Sequence, residues 1–275
     1  MCYNARMLED RASSESRLPA GARQARLMDM LGRSGFLSVA EAAERLGVSA
    51  MTIRRDLETL EARGVLTRTH GGAIAIQGMR LEVFDAVEPV FEQRRRRQSG
   101  AKSKIATAAA ALIGPNETIA LDVGTSVLAL AKELVGRSDL KFLTNNLPAA
   151  MTLSGGPSPV YLLGGQLRAP EMSVIGTAAT DQARSYYVDR AFIGASGVME
   201  SGLYDYSLED SDVKRVFIER ARQVIVLCDS SKFDHRAMAR VCALNQVHMV
   251  VTESEPPPHL AEALRTAGTA VMVAP

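Results

Sequence analysis

Six short apolar runs, at residues 118–121, 141–143, 160–163, 191–194, 224–228 and 248–251, are separated by longer polar and helical stretches. Helical periodicity fills several of the gaps, as at 127–135 and 210–223. A strand that is apolar on every residue must be covered on both sides, and a parallel neighbour can be reached only by a crossover of a dozen or more residues. The spacing therefore predicts an α/β domain, a mostly parallel sheet with helices on both faces.

The first hundred residues follow a different pattern. Residues 1–21 are polar and read as a flexible tail. An apolar stripe of Leu27, Met28 and Leu31 begins a helix near Arg23 that stops at Gly32 and Gly35. Ser38 opens a second helix, in capping-box spacing with Glu41, and Val39, Ala43 and Leu46 line one face. Gly47-Val48-Ser49 breaks the chain, and Ser49 can cap a third helix. There Ile53, Leu57 and Leu60 share the buried face, so Met51 and Arg55 point outward with Thr52 and Arg54 beside them. Residues 65–76, centred on Gly71-Gly72, read as a short hairpin. Residues 22–77 thus form a small winged helix-turn-helix domain, 78–103 a polar linker with the basic run Arg94 to Arg97, and 104–275 the α/β domain.

Charge is uneven. The chain carries 32 Lys+Arg and 31 Asp+Glu, but residues 1–100 hold 16 cations against 13 carboxylates, and all 16 are Arg. The planar guanidinium fork suits phosphate and guanine, so the imbalance permits nucleic acid as a partner. No apolar run reaches the roughly 18–20 residues a bilayer span needs, and the polar start lacks a signal-peptide segment. Cys2, Cys228 and Cys242 are odd in number and widely spaced, which suits a reducing cytoplasm.

The stretch Ser49-Ala50-Met51-Thr52-Ile53-Arg54-Arg55-Asp56-Leu57, followed by Arg68-Thr69-His70-Gly71-Gly72-Ala73, resembles the DeoR family of bacterial transcriptional regulators. The candidate DNA-reading set is Ser49, Met51, Thr52, Arg54, Arg55, Arg68 and His70. Thr52 and Arg55 suit base edges or adjacent phosphates, and Met51 a thymine methyl. Arg54 and Arg68 suit the phosphate backbone, which sets register. Asp56 either orients an arginine or is a plain surface carboxylate. His70 reads as a turn residue or phosphate contact, since no second metal ligand lies nearby. The run from Arg94 to Arg97 reads as solvated linker in preference to a track for DNA phosphate.

In the α/β domain, polar or glycine-rich turns follow five of the runs: Asp122 to Ser126, Thr144 to Asn146, Gly164-Gly165, Gly194 to Gly197, and Asp229 to Phe233. Turns at the carboxyl ends of parallel strands face one crevice. Gly124, Thr125 and Ser126 at a helix start offer amides and hydroxyls to an anion, Lys232 adds charge, and Asp122, Asn145, Asn146 and Asp229 can pair with sugar hydroxyls. Taken singly, each has a plainer reading: Gly164-Gly165 as a turn, Asp122 as a helix cap, Lys232 as a solvated cation. These segments also resemble the DeoR effector-binding domain, which shares its fold with ribose-5-phosphate isomerases and coenzyme A transferases. Its D-x-G-T-T pattern appears as Asp122 to Ser126, with serine last, and D-x-S-K-F as Asp229 to Phe233. The family glutamate four residues before Lys214 is Asp210 here, so either Asp210 or Glu209 fills that role. The resemblance implies an effector site of Asp122, Gly124, Thr125, Ser126, Asn145, Asn146, Gly164, Gly165, Gly197, Asp210, Lys214, Asp229, Ser231 and Lys232.

Three functions compete. The first is a repressor of carbohydrate or polyol catabolism genes, acting as a homo-dimer or homo-tetramer on double-stranded operator DNA. A phosphorylated sugar or polyol releases it, with no membrane, metal or cofactor involved. The second is a sugar-phosphate isomerase or transferase carrying a DNA module, with Asp122, Glu209, Asp210 or Asp229 as base and Lys232 steadying an enediolate. The third, a nucleoid-type scaffold, predicts sequence-independent binding and no ligand response. A complete recognition helix beside an anion crevice favours the first, a regulator that is not an enzyme.

Overall fold

The computed structural model describes residues 20–34, 36–62, 66–69, 71–74, 83–84, 91–169 and 171–275. The chain divides into two compact units, Met1–Leu81 and Glu82–Pro275.

The first unit runs α1 (Ala20–Ser34), β1 (Phe36–Ser38), α2 (Val39–Leu46), α3 (Ala50–Ala62), β2 (Thr67–Thr69) and β3 (Gly72–Ile74). The strands form an antiparallel sheet in the order β1-β3-β2. Leu27 and Leu31 of α1 meet Ala42 of α2, Ile53, Leu57 and Leu60 of α3, Leu37 and Ala73 of the sheet, and Leu66 just before β2 in one small core. Burying each leucine or isoleucine side chain stabilises the unit by roughly 1.5–3 kcal/mol. Helix α1 begins at Ala20, so the last two residues assigned to the tail belong to its first turn; the rest of that segment lies outside the described residues. Ser38 occupies the N-cap of α2, but its side chain makes no capping bond. The expected capping box is absent: Glu41 instead pairs with Arg45, one turn on. Ser49 does cap α3, its Oγ accepting from the Thr52 amide at 3.2 Å.

The second unit runs β4 (Val83–Phe84), α4 (Phe91–Arg96), α5 (Ser99–Ala110), β5 (Thr118–Leu121), α6 (Thr125–Leu134), β6 (Lys141–Thr144), α7 (Leu147–Leu153), β7 (Val160–Leu162), β8 (Gln166–Arg168), β9 (Ser173–Ile175) and α8 (Thr177–Arg184). It continues with β10 (Val188–Gly194), β11 (Gly197–Met199), β12 (Gly202–Asp205), α9 (Leu208–Arg220), β13 (Ala221–Leu227), β14 (His235–Arg236), β15 (Ala239–Cys242), β16 (Met249–Thr252), α10 (Pro258–Thr266) and β17 (Ala270–Val273). Seven of the strands form one sheet in the order β17-β16-β13-β10-β5-β6-β7, every neighbouring pair parallel.

Strand periodicity of two then builds two cores. Ala120, Leu143, Ala191, Ile193, Val224 and Val226 face α8, α9 and α10. Their alternates Ile119, Leu121, Phe142, Phe192, Ile225 and Leu227 face α5, α6 and α7. The expected α/β architecture, with helices on both faces, is what forms.

Three expectations change. Residues 91–96 and 99–103, read as linker, are helical: Phe91 of α4 and Ile105, Ala106 and Ala109 of α5 pack into the second core. Alanines carry too little apolar contrast to reveal that face in the sequence. The helix expected over 210–223 ends at Arg220, because residues 221–223 pair with the start of β10. The chain also adds a small antiparallel sheet, β11-β12-β15, and a β8-β9 hairpin that the sequence reading did not anticipate. Among the described residues no helix is long and apolar enough to cross a membrane.

Candidate functional site

On α3, Ile53, Leu57 and Leu60 are buried, while Met51 is 56% exposed. Arg54 and Arg55 are exposed and Thr52 half-buried. The outward cationic face expected at the start of this helix is therefore present. The Thr52 hydroxyl shares a 2.9 Å hydrogen bond with the Ser49 hydroxyl, which holds its rotamer at the helix start. Asp56 does not orient Arg54 or Arg55. It is buried against α1, where it pairs with Arg23 and accepts from Gln24 at 3.3 Å. Arg68 on β2 reaches back to α3, to Glu58 at 2.6 Å and Glu61 at 3.0 Å. His70 lies outside the described residues.

The second unit holds a cavity of about 110 Å³ at the carboxyl ends of β5, β10 and β13. From β5 the chain goes on to β6 and β7 on one side, whereas β10, β13, β16 and β17 extend on the other. Loops leave the carboxyl ends of β5 and β10 in opposite directions, which opens a crevice there. Gly124, φ +132°, precedes α6 in a conformation that suits glycine, leaving the first turn of the helix facing the cavity. A side chain at Gly194 would lie 2.6 Å from the Val123 carbonyl, so only glycine lets the two loops approach.

Of the residues in the expected effector set, Gly124, Thr125, Ser126, Asp210, Lys214, Asp229, Ser231 and Lys232 line this cavity. Asp122 sits one layer below, wholly buried, its Oδ2 accepting from the Lys214 ammonium and from the Gly194 amide at 3.0 Å. Like Asp122, five further expected residues do not line it. Asn146 caps α7 through the Ala149 amide and donates to the Asp122 carbonyl. Asn145 donates to the Val174 carbonyl. Gly164 donates to Gln182, and Gly165 is pressed against the Ile175 carbonyl. Gly197 belongs to β11, against His235. The strands β6 and β7 that carry the first four lie beyond the crevice, so their turns knit the sheet edge to β9 and α8.

Sequence reasoning missed Arg94 of α4, Lys102 of α5 and Arg97 at the joint between the two helices as cavity residues, together with Glu171 and Asp205. The eight-residue spacing of Arg94 and Lys102 puts them on two short helices, a signal hidden while the segment read as linker. Arg94 pairs with the buried Glu171. Lys102 donates to the carbonyls of Arg94, at 2.9 Å, and of Arg97, and lies 3.7 Å from Asp229. Asp210 binds Arg168 at 3.0 Å and Ser173 at 2.7 Å, so Asp210 rather than Glu209 occupies the cluster. Glu209 pairs locally with the Ser207 hydroxyl.

Charge is concentrated below this surface. Burial pushes the Asp122 carboxyl up to about 7 against the pull of Lys214. Its Oδ1 has no hydrogen-bond partner among the described residues. Burial disfavours the Lys214 ammonium too, but Asp122, Asp205 and Asp210 more than offset it and raise its pKa. Lys232 and Lys102 are both lowered, by burial first and then by the other cations, against the opposing pull of Asp229. Cations crowded into a partly dry cavity favour the arrival of an anion. The turn that carries Lys232 is rigid: Asp229 caps it through the Ser231 amide at 3.2 Å, and Glu253 holds Ser230 at 2.6 Å.

Residues 23–78 match the model of the DeoR-like helix-turn-helix domain, and residues 97–254 that of the DeoR C terminal sensor domain. The chain is 32% identical to the glycerol-3-phosphate regulon repressor of Escherichia coli (strain K12), over 84% of this chain and 90% of that protein. It is also 32% identical to the HTH-type transcriptional repressor GlcR of Bacillus subtilis (strain 168), over 90% of this chain and 93% of that protein. Among solved structures it is similar to ribose 5-phosphate isomerase A from Methanocaldococcus jannaschii, 22% identical over 49% of this chain and 54% of that chain, with a TM-score of 0.38.

Proposed function

The chain belongs to the DeoR family of transcriptional regulators, and from that premise we propose that it represses carbohydrate or polyol catabolism genes and leaves its operator when a phosphorylated sugar or polyol binds the cavity. The observation that carries this reading is the cavity itself. The first turn of α6, the hydroxyls of Thr125 and Ser126, and the Lys232 ammonium all line one space at the sheet's switch point. Free amides at a helix start, hydroxyls and a cation are the donor set of a phosphate monoester. Asp210 and Asp229 on the same wall suit the hydroxyls of the sugar.

Operator contact falls to Met51, Thr52, Arg54 and Arg55, with Ser49 fixing the helix start. Arg68 is already engaged by Glu58 and Glu61, so a phosphate must compete for it. His70 stays in the proposed set as a wing residue. A helix-turn-helix reads paired half-sites, so the active form is a homo-dimer or homo-tetramer acting in the cytoplasm. The effector must prefer the DNA-free arrangement, since only differential affinity shifts the equilibrium. Against an enzyme stands the commitment of the candidate bases: Asp122 is sealed beneath Lys214, Glu209 is not in the cavity wall, Asp210 is held by Arg168 and Ser173, and Asp229 caps its own turn and faces Lys102.

The test is binding to DNA from the protein's own upstream region, by gel shift, across sugar and polyol phosphates and their unphosphorylated parents. Release by one phosphate ester and not by its parent is expected. Binding that no phosphate ester alters, or turnover of a sugar phosphate lost in Asp122→Asn, would defeat the reading.

A further inference from the structure

The cations around the cavity differ in what already holds them. Lys214 gives its donors to Asp122 and, at 3.1 Å, to Asp205. Lys102 spends two donors on the carbonyls of Arg94 and Arg97 and faces Asp229 with the third. Arg94 is paired with Glu171, itself 2% exposed. An ammonium has three donors, so each of these lysines has at most one left for a ligand, and each already has a carboxylate partner. Lys232 and Arg97 remain: each lines the cavity, and neither makes an ion pair among the described residues.

They approach from different elements. Lys232 is fixed on the turn after β13. Arg97 stands at the joint between α4 and α5, exposed at the cavity rim. The next residue, Gln98, is left-handed at φ +55°, a conformation that non-glycine residues adopt rarely. The bond from Lys102 to the Arg97 carbonyl anchors that joint. The backbone at Arg97 is thus held in place while its guanidinium is uncommitted, next to a lysine whose charge Arg97 itself disfavours.

We propose that Arg97 is an anion-contacting residue of this site, which closes with Lys232 on a phosphate dianion at the rim and so ties the bound ligand to the α4–α5 joint. The inference rests on the sugar-phosphate reading of the cavity. A guanidinium can take two phosphate oxygens at once while the ammonium takes the third, whereas a monoanionic carboxylate satisfies only one of the two cations. The run of arginines then has one member with a ligand role, and charge alone could not have singled it out.

Calorimetric titration of the full chain with inorganic phosphate and with glucose 6-phosphate, using glucose as the control, tests this. Both phosphates should bind the parent, and Arg97→Ala should raise Kd about tenfold, the loss of one charge-assisted contact. Arg97→Lys should fall between the two, keeping the charge but not the fork. A Kd for Arg97→Ala within twofold of the parent overturns the assignment of Arg97 and leaves the cavity reading standing. Failure of the parent to bind either phosphate overturns both.

Discussion

Lys214→Met puts the charge cluster under the cavity to the most direct test. In the parent, the ammonium lies among Asp122, Asp205 and Asp210, which are 0%, 6% and 2% exposed. Among the described residues, Asp210 alone of the three has a second cation, Arg168. Methionine fills nearly the same volume, so packing changes little and the effect is electrostatic. Removing one partner of a buried pair typically costs about 3–5 kcal/mol, because the charge left behind is neither paired nor hydrated. The pH dependence gives the sign. Asp122 in the parent titrates near 7, above its ordinary value of 3.8, so it contributes stability at low pH that is lost as the pH rises to about 7. Without Lys214 its carboxyl is pushed higher still, and the folded variant holds its proton above pH 7 while the unfolded chain does not. From pH 7 to 8.5 the parent loses only about 0.4 kcal/mol through this group, whereas a variant protonated throughout loses about 1.4 kcal/mol per pH unit, or about 2 kcal/mol over the window. Urea unfolding followed by circular dichroism at several pH values reads both quantities. A loss under 1 kcal/mol, or a loss that stays constant between pH 7 and 8.5, would refute the assignment of a buried, lysine-neutralised cluster.

Three further outcomes are expected. Arg55→Ala should weaken operator binding by about 1–3 kcal/mol in fluorescence anisotropy if the arginine makes a bidentate base contact, and unchanged affinity would remove it from the reading face. Lys232→Ala should raise the sugar-phosphate concentration needed for half-release about tenfold or more, and equal sensitivity of variant and parent would exclude Lys232 from the site. Asp56→Ala strands the half-buried Arg23 and should destabilise the first unit by about 2 kcal/mol, visible as a lowered thermal transition with DNA absent. No shift in that transition would show the pair to be dispensable.

Local chemistry was legible without coordinates. The caps, glycine breaks and apolar faces of α2 and α3 follow from neighbours within four residues, so the outward position of Arg54 and Arg55 could be read directly. The six apolar runs likewise appear as six strands of one parallel sheet, since a strand covered on both faces has few polar positions. The capping box at Ser38 was the exception. Its spacing was right, but Glu41 paired with Arg45 instead, and such competition is not visible in spacing.

What lies around the cavity needed the fold, because it depends on strand order, and strand order is not written along the chain. Asp122, Asn145 and Gly164 each follow an apolar run, and in the sequence their turns look equivalent. The parallel ladder separates them: β5, β10 and β13 are adjacent at the centre of the sheet, while β6 and β7 run out to one edge. Asp210, Lys214 and Asp122 come together across up to 92 residues of chain, and Arg94 meets Glu171 on a wall that no periodicity indicates. Sequence by itself determined which residues carry usable charge and which helix face is apolar, since both are settled within a turn or two. Only the tertiary structure decided which charges cancel one another and which remain for a ligand, because Coulomb attraction and desolvation act through space between elements that the chain order keeps apart.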